Sequence, residues 1–99
     1  MRPSDPEHDP VVRELREHIT AADRALLAAV NDRLGLVREL RAHKLERGWG
    51  FVDRGREKQL VDALARENPG PLSEPGLREL FAAVLALSKR EVGGGADDR

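Results

Sequence analysis

From Val12 to Leu45 the apolar residues recur every three or four positions, at Val12, Leu15, Ile19, Ala22, Leu26, Ala29, Val30, Leu34, Val37, Leu40 and Leu45, and no proline interrupts them. That period is one face of an α-helix. Asp9 and Pro10 provide its start, a carboxylate at the N-cap and a proline at the first helical position. Gly35 is a weak point within it, and Gly48-Trp49-Gly50 provides the stop. A helix over residues 10–46 spans on the order of 55 Å at 1.5 Å per residue. A compact chain of this size has a radius of gyration of about 13 Å, hence a diameter of roughly 33 Å. The helix outruns the globule its own chain can build, yet its apolar stripe runs the full length. A second copy must cover the surplus, and a two-fold dimer with antiparallel long helices is the simplest closure.

The remainder of the chain reads as two shorter helices. Asp53 is placed to cap the first of these, with Leu60, Val61 and Leu64 on its apolar face. Asn68-Pro69-Gly70-Pro71 is a turn. Ser73 caps the next helix, Leu72 is positioned to staple to Leu77, and Leu77, Leu80, Phe81, Val84 and Ser88 form the inner face. The expected fold class is therefore all-α, with one long and two shorter helices per chain in an intertwined homodimer. Residues 1–9, rich in Pro and Asp, and residues 93–99, beginning Gly-Gly-Gly, are expected to be disordered around a helical domain over 10–92.

Composition narrows the functional classes. Lys and Arg number 17 against 18 Asp and Glu, so no global field favours nucleic acid or a membrane surface. Only three residues are aromatic by the Phe, Trp and Tyr count, Trp49, Phe51 and Phe81, which is thin for base stacking. Trp49 and Phe51 are expected to plug the loop onto the core. There is no cysteine, hence no disulfide framework and no thiolate chemistry. No apolar run approaches membrane-spanning length, and the expected location is the cytoplasm. His8, His18 and His43 lack ligand spacing, so no metal is expected.

Four cations stand out against this background: Arg16, Arg33, Lys44 and Arg56. Arg33 and Lys44 are separated by three helical turns to within about 20°, with Val37 and Leu40 between them on the same stripe. A cation facing buried surface is costly unless an anion meets it. Either acidic side chains or a small anionic ligand must serve. Taken singly, each residue has a plain alternative. Arg16 and Arg56 are ordinary helix-surface residues, and Lys44 can extend its charge to water at a helix end. Glu57 suits the first turn of a helix, Asp53 suits an N-cap, and Ser88 can bond back to the preceding turn.

As an ordered set these residues resemble the all-helical chorismate mutases over about residues 12–92. The resemblance is carried by Leu15-Arg16-Glu17-His18-Ile19 and Asp23, Asn31-Asp32-Arg33-Leu34, Lys44, Val52-Asp53-Arg54-Gly55-Arg56-Glu57 and Gly70-Pro71-Leu72-Ser73. It implies a dimer of three-helix chains that rearranges chorismate to prephenate, on the route to phenylalanine and tyrosine, without a cofactor. The substrate is a dicarboxylate whose ether oxygen gains negative charge as its C–O bond breaks. Guanidinium groups donate two parallel hydrogen bonds to a carboxylate. The resemblance accordingly assigns Arg33 and Arg16 to the carboxylates, with Arg16 reaching across from the other subunit. It assigns Lys44 to the ether oxygen and Glu57 to the ring hydroxyl, aided by the backbone near Asp53. Arg56 completes the positive lining, and Ser88 touches a carboxylate.

One position departs from the family pattern. Where many relatives carry Gln or Glu one turn beyond the serine of the third helix, this chain has Val92, followed by a glycine run that favours fraying. Glu91 is a neighbouring substitute. A site short of one donor would be modest alone and stimulated by a partner, the first enzyme of the shikimate pathway, as in some relatives. Isochorismate-pyruvate lyase and amino-deoxychorismate mutase activities share this fold and stand as alternatives. A non-enzymatic helical dimer is the third class.

Overall fold

The computed structural model describes residues 5–94. Every regular element among them is helical: a 3-10 turn at Pro6–His8, α1 at Pro10–Glu46, α2 at Arg54–Glu67, α3 at Glu74–Lys89 and a π-helical turn at Arg90–Gly94. The all-α reading and its three helices are thus present, with α1 bounded as its sequence signals dictate. Asp9 Oδ1 accepts from the N–H groups of Val11 and Val12 at 2.8 and 3.2 Å. Such a cap contributes about 1 kcal/mol relative to alanine. At the other end Trp49 N–H donates to the Lys44 carbonyl at 2.9 Å and Gly48 N–H to that of Leu45 at 3.1 Å. This is a Schellman closure, and it requires the left-handed backbone that Gly48 adopts at φ 72°.

Two compact units divide the chain, one ending at Arg33 and one beginning at Leu34. In the first, the segment before α1 departs from the expected disorder. Asp5 Oδ1 accepts from Glu7 N–H at 3.1 Å and its Oδ2 meets His8 Nδ1 at 2.7 Å, which closes the 3-10 turn. Residues 1–4 lie outside the described part. Along α1 in this unit Val12, Val30 and Arg33 are half-buried. Leu15, Ile19, Leu26 and Leu27 remain 54–63% exposed, because no other described residue of this unit covers them.

In the second unit α2 and α3 pack against each other. Asp53 Oδ1 accepts from Arg56 N–H at 3.0 Å and Ser73 Oγ from Gly76 N–H at 3.1 Å, so both expected caps are formed. Between the helices Asn68 organises the turn: its Nδ2 donates to the Leu72 carbonyl at 2.8 Å and its Oδ1 accepts from Gly70 N–H at 3.0 Å. Leu72 folds back over the first turn of α3, where a Cβ on Gly76 would stand 2.9 Å from its Cδ1. Arg78 donates to Asp62 across the helix pair at 3.1 Å and to Glu74 along α3 at 3.1 Å. Leu77, 4% exposed, is the one large hydrophobic residue buried among those described.

Three expectations are corrected here. Leu80, assigned to the inner face of α3, is exposed, and Leu85 and Leu87 are half-buried instead. Trp49 does not plug the loop. It stands in solvent with Arg47 5.8 Å from its ring centroid and His43 edge-on at 6.3 Å, whereas Phe51 is half-buried. The end of α3 does not fray at Val92. It continues into the wider π turn through Gly93 and Gly94, two residues past the expected boundary, and Gly93 is buried. Residues 95–99 lie outside the described part.

Candidate active site

Lys44 sits in the last turn of α1, and the Schellman closure that follows turns the chain back beside it. Its ammonium donates to the Phe51 carbonyl at 3.2 Å. An ammonium has three donors, so this bond fixes the side chain and leaves it able to meet a second acceptor. The loop leads into α2, and an open groove of about 660 Å³ results, lined by Lys44, Trp49, Gly50, Val52, Asp53 and Arg54. Lys44 and Asp53 are thereby brought to one concavity. Asp53 is engaged as the cap of α2, the plain alternative for it, which orients the first turn bearing Arg56 and Glu57. The Arg56 side chain is exposed, while its N–H belongs to the cap.

Glu57 is half-buried one turn into α2. Its Oε1 accepts from Lys89 Nζ at 3.0 Å, an ion pair joining α2 to the last residue of α3. Lys89 was not singled out in the sequence. The pair is 32 residues apart, and only helix packing brings it together. Ser88 is 5% exposed, and its hydroxyl donates to the Val84 carbonyl at 2.8 Å, the bond back to the preceding turn. Val92 is half-buried within the π turn and has no polar group to offer.

Arg41, one turn before Lys44, was also missed. Its guanidinium lies over the Phe51 ring, 5.8 Å from the centroid, and against Gly93. Proximity to Lys44 along the helix was the available signal, though Arg38 and Arg47 share it.

Arg16 and Arg33 belong to the first unit. Arg33 is half-buried on α1. Arg16 lies on the exposed surface with Glu7 Oε2 3.4 Å from its guanidinium. An exposed pair of this kind contributes between nothing and about 1 kcal/mol, so it gives way readily to another anion. Among the described residues no group of His, Asp and Glu could hold a metal ion, and no helix is long and apolar enough to cross a membrane.

A helical domain with a cationic groove and its charge-bearing residues in this order has known counterparts. Residues 15–92 match the family described as chorismate mutase type II. Two solved structures of chorismate mutase from Thermus thermophilus, forms I and II, are similar, each with a TM-score of 0.76 and 30% identity over 78% of this chain. The match covers 96% of the form I chain and 88% of the form II chain. No curated protein sequence matches significantly. The chain belongs to the type II chorismate mutase family, a family of isomerases.

Proposed function

We infer that the chain is a cytoplasmic chorismate mutase that converts chorismate to prephenate as a homodimer, in the supply of phenylalanine and tyrosine. The observation that carries this reading is Lys44, fixed by the Phe51 carbonyl at the wall of an open groove, in a chain whose family match spans residues 15–92. The reaction is an intramolecular rearrangement. The ether C–O bond breaks as a C–C bond forms, atoms balance within one molecule, and neither cofactor nor nucleophile takes part. Catalysis then consists of holding the compact conformer and stabilising the oxygen on which charge grows.

In this mechanism Lys44 donates to the ether oxygen, where a compact charge suits a single developing anion. Arg33 binds one carboxylate of the substrate. Arg16 of the second subunit binds the other, exchanging its loose pairing with Glu7 for the substrate. Glu57 accepts from the ring hydroxyl. One carboxylate offers several lone pairs, so it does this while holding Lys89. Arg56 extends the positive lining, Asp53 and the backbone beside it meet the hydroxyl side, and Ser88 sits by a carboxylate.

Support for the dimer comes from α1. Val11, Leu15, Ile19 and Leu26 fall within roughly 80° of arc at 100° per residue, and each is 54–62% exposed in the single chain. An apolar stripe of that continuity marks an interface, and a second α1 covers it with matching periodicity.

Incubation of the purified protein with chorismate and with isochorismate, with products separated, tests the activity. Prephenate from chorismate is expected. Release of pyruvate from isochorismate as the faster reaction would establish the lyase reading instead.

A further inference from the structure

Four groups from three parts of the second unit meet at one point. Arg41 and Lys44 lie on successive turns near the end of α1, Phe51 lies in the following loop, and Gly93 lies in the π turn after α3. The Arg41 guanidinium covers the Phe51 ring at 5.8 Å from its centroid. The carbonyl of that same Phe51 accepts from Lys44 Nζ at 3.2 Å. On its other side Arg41 passes so close over Gly93 that a Cβ there would overlap its Cδ, Nε and Cζ atoms. Gly93 is buried beneath it.

We propose that Arg41 is a positioning residue for Lys44, seated by the C-terminal π turn through the bare Cα of Gly93. The guanidinium holds the Phe51 ring by a cation–π contact, the ring fixes its own peptide, and that peptide aims the lysine ammonium. This deepens the chorismate mutase reading and rests on it for the meaning of Lys44. The chain of contacts also explains why the segment after α3 stays helical instead of fraying. A side chain at residue 93 would expel Arg41, because a long flexible side chain yields before helical backbone does.

The test uses Gly93→Ala, Arg41→Met and the double variant of the full chain. Wild-type turnover of chorismate is measured first. Trp49, the single tryptophan, reports on the loop through its emission. Gly93→Ala is expected to lower kcat by about tenfold to a hundredfold, as for a reacting group displaced by roughly an ångström. KM should stay within about threefold, and Trp49 emission should shift. Arg41→Met should do the same. The double variant should be no worse than Arg41→Met alone, since the guanidinium that the added methyl group would displace is already gone. Arg41→Lys, which keeps charge without the planar face, should not restore kcat. Multiplicative losses in the double variant, or full kcat in a folded Gly93→Ala, would overturn the proposal. Shifted and non-additive Trp49 emission with unchanged kcat overturns the positioning role alone. Absence of chorismate turnover in the wild type removes the enzyme reading instead.

Discussion

Glu57 and Lys89 form an ion pair at 3.0 Å that joins the first turn of α2 to the end of α3, half-buried on both sides. It gives the residue assigned to the substrate hydroxyl a fixed orientation before substrate arrives. Lys89→Met is therefore expected to lower kcat/KM for chorismate by roughly fivefold to thirtyfold, in keeping with about 1–2 kcal/mol for a charge-assisted bond. Thermal stability should fall little, because both partners keep some solvent. Steady-state kinetics beside a melting curve separate the two effects, and a large loss of Tm with unchanged kinetics would make the pair purely structural.

Lys44→Ala is expected to reduce kcat by about 10²–10³ while leaving KM comparatively unaffected, the pattern for one preorganised donor acting on charge that develops late. Near-full kcat in this variant would remove the ether-oxygen role.

The proposed dimer makes three connected predictions. Tm should rise with protein concentration, and Leu26→Glu, which places a charge in the apolar stripe of α1, should abolish dimerisation by light scattering. Arg16→Ala and Arg33→Ala chains, each nearly inactive alone, should recover part of the wild-type rate on mixing. A mixed dimer carries one site with both lesions and one with neither. No recovery from verified heterodimers would mean that each site is built within one chain.

Acid should loosen the α2–α3 contact. The Asp62 carboxyl is held below its ordinary value of 3.8, chiefly by the hydrogen bond from Lys58 and then by that from Arg78. A carboxylate with a lowered folded pKa binds fewer protons than in the unfolded chain. Its contribution is therefore complete above the ordinary value and is lost as pH falls through the lowered one. Asp62→Asn should be less stable than wild type at neutral pH, and the difference should close only below about pH 4. A constant difference across that range would show that the pair does not couple to folding.

Val92→Gln should raise kcat/KM of the isolated enzyme, by on the order of tenfold, if the half-buried position turns a new donor toward the ether oxygen. Addition of the first enzyme of the shikimate pathway should act in the same direction. High wild-type activity unmoved by either would show that Lys44 suffices.

The bounds of α1 and the caps at Asp9, Asp53 and Ser73 were legible in the sequence because each depends on residues within a few positions of one another. A 3.6-residue period and a carboxylate or hydroxyl before it act locally, whatever surrounds them. The order of Arg16, Arg33, Lys44, Asp53, Arg56 and Glu57 carried the family for the same reason, and residues 15–92 match it. What needed tertiary structure were the meetings of distant segments. Lys89 reaches Glu57 only because α3 packs on α2. Arg41 is distinguished from the other arginines of α1 only by the Phe51 ring and the Gly93 Cα that flank it. The glycine run after Val92 reads locally as a frayed end, since glycine gains most from disorder. In the folded chain the missing side chain at Gly93 makes room for the Arg41 guanidinium, a contact between distant segments that the local pattern does not register.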